Sequence, residues 1–270
     1  MSDWYHSYYQ DLLSGISPPL VDGPVYPYAQ NVLINGKNPY DCTYVNQTEY
    51  ACAPAPMAQF NFTSGKIHRL RIVNTGADAT LKVSIDGHVM QVIANDFVPI
   101  DPYNTTVVTV GVGQRADVLV YGIGAPQGAY FLRAHSPDPC GTNNGQPTAW
   151  AAVYYEAADR NHLPFSEPQP DWNNTYCGND DLSLSRPTML EGIDTDPTSV
   201  DIVMEGHSNG THGKWWMNNV SSVVDYDEPI LLKSKLSMND FPEVRGVYQY
   251  DSSHKSIRFI VENRSGNHHP

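Results

Sequence analysis

Proline and glycine punctuate this chain at close intervals, and the stretches between them are short runs rich in β-branched and aromatic residues. Such spacing leaves room for strands closed by turns and little room for helices, which argues for an all-β sandwich or barrel. Residues 107–112 and 117–121 are the clearest runs. Residues 67–73 alternate, with Ile67, Arg69, Arg71 and Val73 on one face and His68, Leu70 and Ile72 on the other. Residues 81–85 alternate too and turn at Asp86-Gly87, and 89–94 form the return strand. A further strand over 31–34 closes on Asn35-Gly36, a strong hairpin signal. With strands over 131–135 and 151–155, this block suits a Greek-key sandwich.

The pattern divides the chain into a first domain over 1–158, with a leading segment over its first 30 or so residues, a linker over 159–197, and a second domain over 198–270. The linker is polar, rich in proline, and holds Cys177. The second domain is too short for a complete sandwich, so it is expected to be truncated and to expose a sheet edge. No internal repeat or low-complexity segment is evident.

The formal net charge is −13. That field repels phosphate backbones and anionic lipid, which excludes nucleic acid and membrane surfaces as partners. No stretch approaches the roughly 20 apolar residues of a membrane span. Sequons begin at Asn46, Asn61, Asn104, Asn173, Asn209, Asn219 and Asn263, a density that favours a secreted glycoprotein. The four cysteines contain no Cys-x-x-Cys spacing. Cys42 and Cys52 flank a short polar loop, Cys140 and Cys177 a longer one, so pairing within each loop in an oxidising compartment is the simplest reading; four buried free thiols are the alternative. The first ten residues are polar and aromatic and lack the apolar core of a signal peptide, which fits an internal piece of a longer precursor.

Several segments carry a family resemblance. The opening Asp3-Trp4-Tyr5-His6, then Asn31-Val32-Leu33-Ile34-Asn35-Gly36, Lys66 through Asn74, Val112-Gly113-Gln114-Arg115-Ala116-Asp117-Val118, and the closing His268-His269-Pro270 occur in this order. Together they resemble the middle and last domains of multicopper oxidases of the ascomycete laccase type. The resemblance implies cupredoxin-like Greek-key sandwiches, one complete and one truncated. It implies a monomeric, secreted parent enzyme that takes single electrons from phenols at a blue copper and passes them to a three-copper cluster, where oxygen becomes water. Imidazole and thiolate ligands suit copper in such sites.

This chain has no His-x-His pair and no cysteine beside a histidine, the motifs that carry most of the family's copper ligands. His269 stands at the position of a blue-copper histidine; its bland alternative is a histidine in a frayed terminus. The chain alone is therefore expected to hold no copper stably and to be inactive, whatever its parent does. The resemblance places Asp96 in the phenol pocket, as the acid that takes the phenol's proton, against the alternative of a solvated loop carboxylate. Trp215 resembles an aromatic wall of that pocket, with Trp216 less clearly so, against plain packing. Asp96, Trp215 and His269 are expected to meet at a cleft between domains, a favoured place for ligands. His88 reads as a satisfied structural histidine, Trp4, Tyr5 and His6 as interdomain packing, and Arg69, Arg71 and Arg115 as partners in ion pairs. Rival readings are an oxidase of Fe(II), an oxidase coupling phenols in pigment or secondary metabolism, and a copper-free cupredoxin binding module. Extra carboxylates around Asp96 would favour iron.

Overall fold

The structure is a computed structural model. It describes residues 1–4, 29–44, 52–53, 55–123, 125–141, 143–189, 192, 195–208, 213–221, 225, 227–250, 253 and 256–265. The chain divides into two compact units, one over Met1–Tyr8 and Tyr26–Leu190 and the other chiefly over Glu191–Pro270.

The first unit contains β1 (Ser2–Trp4), β2 (Ala29–Leu33), β3 (Ala58–Asn61), β4 (Ile67–Val73), β5 (Leu81–Ile85), β6 (Met90–Asn95), β7 (Val98–Thr105), β8 (Val107–Val110), β9 (Arg115–Tyr121), β10 (Ala129–His135), β11 (Asn143–Gln146) and β12 (Thr148–Tyr154). One sheet runs β3-β12-β10-β5-β8, a second β4-β9-β6-β7, and a smaller third β1-β2-β11. Leu81, Val83 and Ile85 of β5 share one apolar cluster with Leu132 and Ala134 of β10, Val92 of β6, and Val118 and Val120 of β9. The two larger sheets therefore pack face to face as a sandwich. Each of these Val, Leu or Ile side chains taken fully out of water contributes about 1.5–3 kcal/mol.

Local chemistry places these strands as the alternation predicts. In β4, Ile72 is buried while Ile67, Arg69, Arg71 and Val73 are exposed. Arg69 and Arg71 both reach Asp117 on the neighbouring β9, the expected ion-pair role. Asn35 and Gly36 have φ of 51° and 70°, and Ile34 bridges Lys37 across them. Positive φ at both central residues is the hairpin turn whose twist matches that of the strands. Asp3 on β1 is buried, and its carboxylate accepts N–H bonds from Ala77, Asp78 and Ala79 at 2.8–3.2 Å. That ties the start of the chain to a loop more than 70 residues away.

Residues 159–189, part of the 159–197 stretch expected to be a linker, pack on the first unit: 166–180 lie over the outer face of the β3-β12-β10-β5-β8 sheet, and 186–188 run beside the edge strand β7, where Pro187 bridges Ile100. Alternation puts Lys82 and Ser84 on the outer face, yet Lys82 is only 2% exposed and Ser84 is buried. The covering segment satisfies what lies beneath it. Gln169 donates to the carbonyls of Ile85 and His88, both at 2.9 Å. Ser166 donates to Asp86 at 2.7 Å, and Asp86 also takes a two-pronged bond from Arg133 at 2.9 and 2.8 Å. Asp180 accepts from the Thr109 amide and the Tyr103 hydroxyl. Lys82 Nζ donates to Thr109 Oγ1 at 2.9 Å and lies 5.7 Å from the Tyr176 ring centre. Burial lowers the Lys82 pKa, opposed by the charge of Asp180. The Cys140–Cys177 disulfide fastens the segment to the sheet side, and Cys42–Cys52 closes the shorter loop, so both expected pairings form.

The second unit has β13 (Thr198–Ser208), β14 (Gly213–Met217), a short helix α1 (Ile230–Lys235) and β15 (Ile257–Asn263). β13 is the central strand, antiparallel to β14 and parallel to β15. The molecule is thus nearly all-β, as the sequence predicts.

Candidate functional site

Asp96 and Phe97 are the two central residues of the hairpin between β6 and β7, where Asn95 pairs with Val98. Their φ angles are 47° and 75°. This turn ordinarily carries Asn-Gly or Asp-Gly, so Phe97 stands where glycine is preferred. β9 holds the turn from the side. The Arg115 amide donates to Asp96 Oδ1 at 2.9 Å, and the Asp96 amide donates back to the Arg115 carbonyl at 3.0 Å. The Arg115 guanidinium pairs with the same Oδ1 at 2.9 Å, donates to the Gly113 carbonyl at 2.8 Å, and lies 4.3 Å from the Phe97 ring centre. At the base of the hairpin, Asn95 donates to Ser185 of the covering segment at 2.9 Å. No donor among the described residues reaches Asp96 Oδ2. The Asp96 side chain is 46% exposed, so that oxygen is open to a ligand's hydroxyl. Arg115 thus makes the expected ion pair, but with the candidate acid itself.

The other pocket candidates lie in the second unit or outside the described residues. Trp215 lies on β14, paired with Gly206 on β13; its ring crosses that glycine, where a Cβ would come 3.4 Å from the indole, and it is 38% exposed. Asp96 belongs to the first unit and Trp215 to the second. His269, Tyr5 and His6 lie outside the described residues, as do Asn46 and Asn209. Asn61, Asn104, Asn173, Asn219 and Asn263 are exposed.

His88 is 2% exposed. Its Nδ1 lies 2.7 Å from the Asp86 carbonyl, which can only accept, so Nδ1 carries the proton. Nε2 then accepts from the Tyr155 hydroxyl at 2.7 Å, whose oxygen in turn accepts from the Ile123 amide at 2.9 Å. Burial lowers the His88 pKa, with the carbonyl and charge of Asp86 opposing and His68 adding to the fall. The histidine is satisfied within the fold. A separate cleft of about 490 Å³ is lined by Pro39, Tyr40, Asp41, Gln146, Pro147, Trp150 and their neighbours, and contains none of the predicted site residues.

Sequence reasoning missed Phe97 and the coupling of Arg115 to Asp96. The available signal was Asp96-Phe97 set between two strand-like runs. Pro99 and Pro102 masked the second run, but β7 is the edge of its sheet, where proline is tolerated.

The sequence profile of the multicopper oxidase family matches residues 1–157, more than half of the chain. The chain belongs to the multicopper oxidase family. Laccase-1 of Botryotinia fuckeliana is 28% identical over 274 residues, covering 100% of this chain and 44% of that laccase. Oxidoreductase OpS5 of Beauveria bassiana is 43% identical over 131 residues, covering 48% of this chain and 22% of that protein. The crystal structure of a laccase from Botrytis aclada superposes with a TM-score of 0.78 at 26% identity, covering 98% of this chain and 47% of that one. Fet3p, a multicopper oxidase that functions in iron import, shares the fold, with a TM-score of 0.56 at 22% identity over 82% of this chain and 38% of that one. This multicopper oxidase chain thus spans less than half the length of these relatives.

The family implies copper. Among the described residues no group of three or more His, Cys, Asp and Glu side chains could hold a metal ion. All four cysteines are in disulfides, so none offers a thiolate. The described residues do not by themselves fit a copper centre.

Proposed function

We propose that this chain is a portion of a longer, secreted, laccase-like oxidase that removes single electrons from phenols and reduces oxygen to water. In that reading the copper ions are held mainly by residues other than those described, with His269 as this chain's contribution. Trp215 is proposed as an aromatic wall for the substrate. Secretion is supported by the two disulfides and by the exposed sequon asparagines as glycan acceptors.

The observation that carries the reading is the state of the Asp96 carboxylate. One oxygen is fixed by Arg115 and the other is open. A phenol O–H donating to Oδ2 would be oriented by the rigid hairpin. A phenol that loses an electron becomes far more acidic, and a carboxylate within hydrogen-bond reach takes the proton as the charge develops. The proton then rests on Asp96 while the neutral phenoxyl radical departs. The charged partner of Asp96 is a cation, not a second carboxylate, and its neighbour is an aromatic ring. That environment favours a phenol over Fe(II).

The test is Asp96→Asn in the full-length, copper-loaded oxidase, assayed with a phenol and with ferrocyanide, which has no proton to give. The reading expects phenol kcat/KM to fall by about 10²-fold or more, the usual weight of a positioned base, with ferrocyanide turnover little changed. Equal losses on both donors would make Asp96 a structural residue.

A further inference from the structure

We propose that the Asp96-Phe97 hairpin is a preformed recognition element for phenols, in which Phe97 supplies the surface on which the phenol ring stacks and Arg115 is the positioning residue that locks ring and carboxylate together. The proposal rests on Asp96 being the phenol's acceptor, and it adds a specificity-determining residue to that site.

Phe97 is the anomaly that motivates it. A bulky residue at φ of 75° is a genuine conformational outlier. Such strain persists where the surroundings impose it, and it concentrates at functional sites. Packing does not reward this side chain, since Phe97 is 84% exposed. A glycine would relieve the turn and remove an exposed apolar ring from water. The fold keeps the ring and clamps it. The Arg115 guanidinium sits over one face at 4.3 Å, leaving the other face open.

The same guanidinium bonds Asp96 Oδ1 at 2.9 Å. One cation therefore fixes both the acceptor oxygen and the aromatic surface relative to β9 before any ligand arrives. A phenol offers the complementary pair of features: a hydroxyl for Oδ2 and a ring for the free face of Phe97. Offset or edge-on ring contact strengthens binding beyond the area it buries. Because Arg115 already holds both elements, less ordering opposes the ligand. A donor with neither a hydroxyl nor a ring would use neither.

The experiment compares Phe97→Gly, Phe97→Trp and Arg115→Met with the parent sequence in the full-length, copper-loaded oxidase. KM and kcat are measured for a phenol and for ferrocyanide, and thermal midpoints are recorded for each variant. Phe97→Gly should raise phenol KM about tenfold, a change of about 1.4 kcal/mol, and leave ferrocyanide kinetics unchanged. Its midpoint should hold or rise, because glycine adopts this φ without strain. Phe97→Trp should restore phenol KM, and Arg115→Met should reduce the preference for phenol over ferrocyanide. An unchanged phenol KM in Phe97→Gly, or an equal rise for both donors, overturns the proposal. The Asp96→Asn variant, run alongside, separates the two claims. If it loses phenol preference while Phe97→Gly keeps it, the stacking role falls and the acid's role stands. If Asp96→Asn also keeps phenol preference, both fall.

Discussion

His88 shows how a residue with catalytic potential can be absorbed by the fold. Both ring nitrogens are used, one by the Asp86 carbonyl and one by the Tyr155 hydroxyl, and Tyr130 meets the ring edge-on at 4.8 Å. Burial lowers its pKa and that of His135. The native state therefore binds these protons less readily than the unfolded chain, whose histidines titrate near about 6.5. Above that pH both states are neutral and the two groups contribute nothing. As pH falls below about 6.5 the unfolded state takes up protons first, and stability drops by up to about 1.4 kcal/mol per pH unit for each histidine. Urea midpoints of the chain measured between about pH 7 and about pH 5 should decline, and the slope should lessen in His88→Gln. A flat profile across that window would contradict the assignment. The sequence made this histidine's structural role legible through the Asp86-Gly87 turn before it. Its bond to Tyr155 was not legible, because 67 residues separate the two.

At the scale of elements, the covering segment does most to set this unit apart from a bare sandwich. The Cys140–Cys177 bridge closes a loop of 37 residues and Cys42–Cys52 one of 10. By loop-closure entropy these constrain the unfolded chain by about 4 and about 3 kcal/mol. Removing the first pair as Cys140→Ala with Cys177→Ala should cost more stability than removing the second. It should also speed hydrogen exchange at β5, β8 and β10, whose outer face the segment covers, and open residues 159–189 to proteolysis. Equal exchange in the two double mutants would mean the segment is held without its disulfide. Alternation located the strands well because both packed faces demand apolar residues at every second position. The 159–197 stretch reads as a linker because proline-rich polar sequence reads as solvent-exposed, yet residues 166–180 of it lie against the sheet. Here its Gln169, Ser166 and Asp180 are polar because they answer a polar sheet face, with Lys82, Asp86 and Thr109 beneath. The Asp96-Phe97 turn was hidden for a different reason: its second residue is the wrong type for the conformation.

At the scale of the whole molecule, the proposed reading is a phenol-recognising hairpin within a longer laccase-like oxidase, whose copper is held mainly by residues other than those described. The family and the all-β sandwich were legible from ordered motifs and from period-two runs. The clamp of Arg115 on Asp96 and Phe97 was not, since it depends on the pairing of β6 with β9. The net charge of −13 is compatible with neutral phenols and unsuited to polyanions. The most direct measurement is copper content and phenol-dependent oxygen uptake, taken side by side on this chain and on the full-length protein after identical copper loading. The account predicts stoichiometric copper and phenol-dependent oxygen uptake in the full-length protein, and neither in this chain alone. Tight stoichiometric copper in this chain, with turnover above that of free copper, would contradict it.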